Sequence, residues 1–326
     1  MSETVIEVRG LRKSYGPREA VRGLDLTVAR GEIFAFLGPN GAGKTTTVEI
    51  LEGYREATAG EVSVLGADPR RPPAGWRERV GVVLQEVRLP SLLTPRETLA
   101  MYAGYYSSPR GVDETIELVG LAESAAVRNS KLSGGQQRRL DVALALIGDP
   151  ELLFLDEPTT GFDPAARRGA WGLIDDLRAL GKTVFLTTHY MDEAQHLADR
   201  VAIIKDGRIV AEGRPGDLGR REAASTVVRF GLPPGVAASD LPPTLAGRVR
   251  PGATGRWELE TAAATADLAA LTGWAVGRGM ELEGLEAQRP SLEDVYLELT
   301  GADPTDAGAG AEPTDVVAEP TDVGAG

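Results

Sequence analysis

The stretch Gly38-Pro39-Asn40-Gly41-Ala42-Gly43-Lys44-Thr45 decides the fold of this chain. It fits the pattern G-x-x-x-x-G-K-[ST], follows an apolar run at residues 32–37 and precedes a helical pattern. A strand, a glycine-rich turn and a helix in this order predict an α/β domain with a phosphate-binding loop. The glycines let backbone N–H groups curl around phosphate oxygens, Lys44 can reach the terminal phosphates, and the Thr45 hydroxyl can ligate Mg²⁺.

A second apolar run ends in two carboxylates. Residues 152–155 read as a buried strand, and Asp156 and Glu157 follow it directly. In α/β sheets, ligands bind at the carboxyl ends of the strands. Phosphoryl transfer needs a metal ion and a positioned nucleophile. We therefore predict that Asp156 holds Mg²⁺ through water and that Glu157 polarises the attacking water.

A third motif, Leu132-Ser133-Gly134-Gly135-Gln136, precedes an amphipathic helix. The serine can cap that helix, and the two glycines expose N–H groups at its N-terminus, which makes an anion site. The chain thus has two phosphate-binding elements, but only the loop at 38–45 contains the lysine that reaches the phosphates. The simplest explanation is that each element completes the other's site across a dimer.

These motifs, in this order, resemble those of the ATP-binding cassette (ABC) family. Residues 38–46 resemble its Walker A motif, 132–136 its signature and 152–158 its Walker B motif. The resemblance implies that ATP and Mg²⁺ are the ligands and that the chain hydrolyses ATP. The catalytic residues that it implies are Glu157, His189 and Gln85, and the metal-binding residues are Thr45, Gln85 and Asp156. The nucleotide-contacting residues that it implies are Tyr15, Gly38, Pro39, Asn40, Gly41, Ala42, Gly43, Lys44, Thr45, Thr46, Ser133, Gly134, Gly135, Gln136 and Asp163.

Four of these residues have roles that rest on the resemblance alone. Tyr15 matches the aromatic residue that stacks on adenine, and Gln85 matches the Q-loop residue that senses Mg²⁺ and the membrane partner. Asp163 matches the D-loop residue that acts across the dimer, and His189 matches the switch histidine that contacts the γ-phosphate. Tyr15, Gln85 and His189 each have a structural alternative, such as a half-buried tyrosine at a strand end.

The sequence departs from the family pattern at two positions near the motifs. Phe162 stands where leucine is commoner in the D-loop, and Arg138 stands where many members have a glutamine after the signature. Neither position has a catalytic role in the resemblance, so an active site in working order is expected.

Composition divides the chain into regions. Residues 1–218 are predicted to form the ABC nucleotide-binding domain, with a helical subdomain at about 90–150. Residues 219–301 predict a small α+β domain, with short strands around a helix in ATADLAALTGWAVG. Residues 302–326 form a loose acidic repeat, rich in Pro, Gly and Ala, that is predicted to be disordered. The tail is either a solvated extension or a contact for a partner or for dimerisation.

Within the first domain the secondary structure follows from local signals. Strands are predicted at 32–37, 81–85, 152–155 and 183–186. Thr94-Pro95-Arg96-Glu97 has the form of a helix start, with Thr94 as the cap and Pro95 in the first turn. A further helix is predicted to start at Asp163-Pro164 and to end at Gly181.

Composition also excludes several classes of protein. The 326 residues include no cysteine, which removes disulfide frameworks and cysteine zinc sites. No apolar run is long enough to span a bilayer, and the first residues lack the pattern of a signal peptide. The net charge of −13 argues against nucleic acid as a partner. Any membrane role must therefore come through a partner, and the resemblance implies a peripheral location at the cytoplasmic face of the cell membrane.

The segment Pro290–Gly301 closes the predicted folded part. It resembles the C-terminal end of bacterial exporter ATPases of the daunorubicin-resistance type. That resemblance implies a separate permease, efflux of a drug, an antibiotic or a lipid-like compound, and a contribution to dimerisation. The alternative is a plain amphipathic helix, because Leu292, Val295, Tyr296 and Leu299 follow helical spacing.

Two other functions compete with transport. A non-transport ABC ATPase would act on nucleic acid or the ribosome. Repair and chromosome proteins of this kind carry a long coiled coil between the P-loop and the signature, and no sustained heptads occur here. Ribosome-acting members usually carry two cassettes, and this chain has one. A regulatory module without catalysis is disfavoured by the presence of Glu157 and His189.

Overall fold

The computed structural model describes residues 3–83, 89–218, 226–252 and 256–288, together with Leu292, Val295, Tyr296 and Leu299. The strands are β1 (Thr4–Tyr15), β2 (Arg18–Ala29), β3 (Ile33–Leu37), β4 (Ala59–Val64), β5 (Val80–Val83), β6 (Leu152–Asp156), β7 (Thr183–Thr188), β8 (Arg200–Lys205), β9 (Arg208–Gly213), β10 (Thr226–Gly231), β11 (Val249–Pro251), β12 (Trp257–Thr261) and β13 (Glu283–Gln288). The α-helices are α1 (Lys44–Leu51), α2 (Pro95–Ala103), α3 (Val112–Leu118), α4 (Gly134–Leu146), α5 (Pro164–Ala179), α6 (Met191–Leu197), α7 (Pro215–Leu218), α8 (Pro243–Ala246) and α9 (Ala264–Gly277).

A six-stranded sheet forms the centre of the first domain. Its strand order is β5-β6-β7-β3-β8-β9, and all neighbours are parallel except the β8–β9 pair. Every residue of β3 and β7 is buried. Parallel strands covered on both faces are continuously apolar, which is why short apolar runs predict them in the sequence.

Alternating side chains of β3 supply two separate cores. Phe34 and Phe36 point to a cluster that includes the buried residues of β1, β2 and β4, and both rings lie against Phe185. Ile33 and Leu37 point to the opposite cluster, which contains residues of helices α2 to α6. The antiparallel sheet, in the order β2-β1-β4, and helix α1 therefore cover one face of the central sheet, and helices α2 to α6 cover the other.

The helical subdomain lies between β5 and β6 in the chain. Its first helix, α2, starts with the predicted capping box, in which Thr94 and Glu97 exchange hydrogen bonds. The buried side chain of Asn129 donates to the Thr98 hydroxyl at 2.8 Å and to the backbone oxygen of Pro90 at 3.0 Å. These bonds tie the loop before α4 to helix α2.

The second domain is a four-stranded antiparallel sheet with one long helix. The strand order is β11-β12-β10-β13, and α9 spans the segment in which the sequence predicts a helix. Val228, Phe230, Leu259 and Leu271 are fully buried in a core of their own. The predicted small α+β unit is thus confirmed as part of the fold class.

The last described residues return to the first domain. Leu292, Val295 and Tyr296 are buried in the cluster on the helical side of the central sheet. Lys205 at the end of β8 donates from Nζ to the backbone oxygen of Leu299 at 3.1 Å. The helical spacing of these residues is visible in the sequence, but the surface they cover is given only by the tertiary structure.

The fold class predicted from the sequence is confirmed: an α/β core with an inserted helical subdomain, followed by a small α+β domain. The domain boundaries at residues 218 and 301 remain predictions. Gln85 and the acidic tail at 302–326 lie outside the described residues. Over the part of the chain that is described, no helix is long and apolar enough to cross a membrane.

Candidate active site

Three neighbouring parallel strands deliver the predicted site residues to one edge of the central sheet. In register, Leu37 at the end of β3 pairs with Thr188 on β7, and Asp156 at the end of β6 pairs with Thr187. The phosphate-binding loop, Glu157 and His189 each follow one of these strand ends. The parallel topology therefore brings together groups that are more than 100 residues apart in sequence.

The loop between β3 and α1 requires glycine at two positions. A Cβ atom at Gly38 would lie 2.5 Å from the backbone oxygen of Ile204, and one at Gly43 would lie 2.6 Å from that of Ala20. Gly43 also has φ 107°, a conformation that side chains rarely adopt. The loop is thus packed directly against β2 and β8, which fixes the path of its backbone N–H groups.

Lys44 occupies the centre of this loop. Its side chain is only 6% exposed, and Nζ donates to the backbone oxygens of Gly38 at 2.6 Å and Pro39 at 3.3 Å. Nζ also lies 3.7 Å from Oε1 of Glu157. Burial lowers the pKa of Lys44, and the nearby carboxylates of Glu157 and Asp156 oppose that effect.

The carboxylate of Glu157 contacts His189 and Thr160. Its Oε2 is 3.3 Å from Nδ1 of His189 and accepts a hydrogen bond from the Thr160 hydroxyl at 3.0 Å. The contact with His189, helped by Lys44, lowers the pKa of Glu157 to about 2. The side chain is therefore a carboxylate at neutral pH and can accept a hydrogen bond from water.

Asp156 is held by the neighbouring strand. The Thr187 hydroxyl donates to Oδ1 of Asp156 at 2.5 Å and accepts from the backbone N–H of Glu157 at 3.0 Å. Burial raises the pKa of Asp156, and the Thr187 hydrogen bond opposes the rise. A single hydroxyl therefore holds the carboxylate of Asp156 and the backbone of Glu157.

The charge balance at this edge of the sheet fits a divalent cation. The carboxylates of Asp156 and Glu157 interact with each other and with the buried ammonium group of Lys44. Mg²⁺ binds through one or two protein oxygens, with waters and substrate phosphates completing its shell. Within the described ranges, no cluster of three or more His, Cys, Asp or Glu residues could hold a metal. Mg²⁺ does not need such a cluster, because waters and phosphates supply its other ligands.

The signature segment forms an exposed helix start. Ser133 caps α4 by accepting from the backbone N–H of Gln136 at 3.3 Å, while Oε1 of Gln136 accepts from the N–H of Ser133 at 2.9 Å. Ser133 and Gly134 are exposed, and Cβ atoms built at Gly134 and Gly135 would meet nothing within 4 Å. The start of α4 is therefore open to a large ligand or to another surface.

Tyr15 and Asp163, two further predicted residues, fall at exposed positions. Tyr15 ends β1 with 41% of its surface exposed, and the side-chain cations of Lys13 and Arg55 lie 5.2 and 5.3 Å from its ring centre. Asp163 is exposed and caps α5 by accepting from the N–H of Ala166 at 2.8 Å. Gln85 lies outside the described residues.

Two residues at the site are not singled out as functional by the sequence. Thr187 organises Asp156 and Glu157, and the only sequence signal is that the buried strand β7 ends in two threonines. Arg138 donates to the backbone on both sides of Glu157, and the sequence marks it only as a departure from the family pattern. Both act from another strand or helix, so their contacts depend on the tertiary fold.

Comparison with known proteins identifies the family. The family model described as "ABC transporter" matches residues 21–160, and "ABC transporter domain-containing protein-like, C-terminal domain" matches residues 226–291. The chain is 39% identical to the daunorubicin resistance ATP-binding protein DrrA3 of Streptomyces coeruleorubidus, with 93% of this chain and 98% of that protein covered. It is 41% identical to the Nod factor export ATP-binding protein I of Rhizobium sp. (strain N33), with 92% and 98% covered.

A solved structure shares the fold of the first domain. It is the dimeric post-hydrolysis state of the ATP-binding cassette MJ0796 bound to ADP and Pi, with a TM-score of 0.57 and 26% identity. The match covers 64% of this chain and 98% of that one. The covered share corresponds to a single cassette.

The chain belongs to the ABC transporter family. It is an ATP-binding subunit of a transporter, and its hydrolysis of ATP is coupled to transport. The roles of individual residues at the site remain predictions.

Proposed function

We propose that this chain powers the export of a drug, an antibiotic or a lipid-like compound through a separate membrane permease. The observation that carries the proposal is the extent of the similarity. Relatives named for daunorubicin resistance and for Nod factor export match more than nine-tenths of the chain, including its second domain. This favours export over a non-transport ATPase that acts on nucleic acid or the ribosome.

In the proposed mechanism, ATP is held between two copies of the chain arranged head to tail. Lys44 and Thr45 of one copy would bind the phosphates, together with Ser133 and Gly135 of the partner subunit. The exposed start of α4 supports this arrangement, because a helix N-terminus suits an anion and Gly134 and Gly135 have open space around them. The related cassette MJ0796 is described as a dimer bound to ADP and Pi.

Hydrolysis would use the ionised Glu157. Its carboxylate, 3.3 Å from His189, would accept a proton of the attacking water, and His189 would contact the γ-phosphate of ATP. Asp156 and Thr45 would hold Mg²⁺, which supplies positive charge to the phosphates when it is bound. Loss of the γ-phosphate removes the bridge between the two copies, and the dimer opens.

Coupling to the permease would use the region where the helical subdomain meets the core. A cavity of about 560 Å³ lies between the end of α1, strand β5 and helix α4, and Glu52, Trp76 and Asp141 are among its lining residues. Gln85 follows β5 along the chain, beyond the described part. We propose that dimer closure moves the helical subdomain and that this region transmits the motion to the permease.

Three further assignments belong to the proposal. The chain divides into a nucleotide-binding domain at 1–218, an α+β domain at 219–301 and a tail at 302–326. It sits at the cytoplasmic face of the cell membrane, peripherally, through the permease. It does not use nucleic acid as a partner.

The test is ATPase activity of the purified chain in lipid vesicles, with and without the permease encoded beside it, across candidate amphiphilic compounds. Stimulation by the permease and by one compound class, together with ATP-driven movement of that compound across the membrane, is the expected result. Hydrolysis that ignores the permease but responds to nucleic acid or ribosomes would overturn the export proposal.

A further inference from the structure

Arg138 reaches from the second turn of α4 to the end of β6. Its side chain is only 11% exposed. Nε donates to the backbone oxygen of Pro158 at 3.1 Å, and Nη2 donates to that of Asp156 at 3.2 Å. These two carbonyls belong to the residues on either side of Glu157, so one planar guanidinium spans the turn that carries the carboxylate.

The turn that Arg138 spans has an unfavourable backbone conformation. Glu157 has φ 45°, in the left-handed region. For a residue with a side chain this conformation costs about 1–2 kcal/mol, so surrounding contacts have to hold it. Thr187 on β7 holds the turn through the N–H of Glu157, and Arg138 on α4 holds it through the flanking carbonyls.

Asp141 supports the guanidinium from within the same helix. Its Oδ2 lies 3.9 Å from Nη1 of Arg138, one helical turn away, and its side chain is 9% exposed. At this distance Asp141 balances the charge of Arg138 without a short hydrogen bond. The contacts with the two carbonyls are shorter, so they set where the guanidinium lies.

Arg138 is also close to the start of α4. It lies five positions after the cap Ser133, which corresponds to about 7–8 Å along the helix axis. A helix moves as a rigid unit over such a distance, so a shift of the helix start moves the guanidinium and the two carbonyls that it holds.

We propose that Arg138 is a positioning residue that links the start of α4 to Glu157. The inference rests on the proposed dimer, in which the start of α4 contacts ATP bound by the partner subunit. Nucleotide held at one site then fixes α4, and Arg138 fixes the turn that aims Glu157 at water in the other site. Hydrolysis at the two sites is coupled through this one side chain.

The first experiment compares Arg138→Lys with Arg139→Lys. Arg139 is the next residue on α4, and the structure gives it a bond to the backbone oxygen of Gly120 at 3.2 Å. A lysine at 138 keeps the charge but offers a single nitrogen in place of the two fixed nitrogens that reach the separate carbonyls. We expect kcat to fall on the order of 10- to 100-fold for Arg138→Lys, with KM for ATP near the native value and the Hill coefficient for ATP closer to one. Arg139→Lys is expected to keep native kinetics.

The second experiment separates positioning from support of the helix. Arg138→Lys is combined with Glu157→Gln, and ATP-dependent dimer formation is measured by light scattering. We expect the double variant to dimerise at the same ATP concentration as Glu157→Gln alone. If the double variant dimerises less than Glu157→Gln alone, in proportion to the fall in kcat, Arg138 only maintains α4. That result would overturn the proposal.

Chemical rescue by guanidinium ion tests the role of the Arg138 side chain independently of how well a variant folds. In Arg138→Ala, millimolar guanidinium ion is expected to restore part of kcat, and in Arg139→Ala it is expected to have no effect. Native kcat in Arg138→Lys, or the absence of rescue in Arg138→Ala, would overturn the proposal. A native chain that does not dimerise with ATP would instead overturn the proposed function, so the two failures are distinguishable.

Discussion

The chain has two glycine-rich helix starts, and they are built in opposite ways. At the start of α1, Gly38 and Gly43 are in contact with neighbouring backbone, and Lys44 is buried. At the start of α4, Ser133 and Gly134 are exposed, and Gly135 has open space around its Cα. Both ends present backbone N–H groups suited to an anion.

Glycine is required for a different physical reason at each of the two helix starts. In the first case glycine is needed because this chain leaves no space for a side chain. In the second case this chain leaves ample space, so the need for glycine has to come from something that approaches α4 from outside. The proposed partner subunit, with its bound ATP, is such a surface. The following predictions test that difference.

The largest effect is expected from a change that leaves both helix starts intact. Glu157→Gln removes the carboxylate that accepts the proton of water and keeps the shape of the side chain. We expect ATP hydrolysis to fall by about 10²- to 10⁴-fold, while ATP binding persists and a closed dimer accumulates. The measurement is the steady-state rate together with gel filtration in ATP. Hydrolysis at the native rate would show that Glu157 is not the base.

Gly43→Ala tests the buried helix start. The added methyl group would lie 2.6 Å from the backbone oxygen of Ala20, and the backbone conformation disfavours a side chain. We expect a loss of about 1–3 kcal/mol in the free energy of unfolding and loss of ATP binding in the isolated subunit. Denaturant unfolding and a fluorescent ATP analogue measure the two effects. A stable variant that binds ATP normally would contradict the close packing of the loop.

Gly135→Ala is the matched change at the exposed helix start. Because nothing lies near the new methyl group, the free energy of unfolding is expected to stay within about 0.5 kcal/mol of the native value. Hydrolysis is nevertheless expected to fall about 10-fold or more, because the methyl group obstructs the approach of the partner's nucleotide. Native hydrolysis in this variant would remove the start of α4 from the active site.

The smallest effect is expected from Glu52→Gln, a substitution just after the end of α1. Glu52 lines the cavity beside α4. Burial, with the charges of Asp156 and Glu49, raises the pKa of Glu52 from 4.5 to about 8. Between these pH values the folded chain binds a proton that the unfolded chain has released, so this group's contribution to stability decreases as pH rises. Glu52→Gln is therefore expected to raise the Tm, relative to the native chain, by a few degrees more at pH 8 than at pH 5.

The control for this prediction is Glu56→Gln at an exposed position nearby. Its effect on the Tm is expected to be the same at both pH values. A pH-independent effect of Glu52→Gln, measured by thermal unfolding, would show that Glu52 is ionised throughout the range.

Local sequence patterns predict most of the elements and the residues proposed for the site. The phosphate-binding loop, the strand that ends in Asp156 and Glu157, and the cap of α4 are local patterns, because loop conformation, strand burial and helix capping depend on neighbouring residues. The helix at 264–277 was predictable for the same reason. Such features can be identified from a few consecutive side chains.

Only the tertiary structure decided which distant groups meet. Arg138 and Thr187 hold the turn of Glu157 from a helix and a strand that no local pattern links to it. Tyr296 has the spacing of an amphipathic helix, but its burial in the core of the first domain follows from the path of the whole chain. A periodic apolar face specifies that a surface is covered, and the three-dimensional packing specifies what covers it.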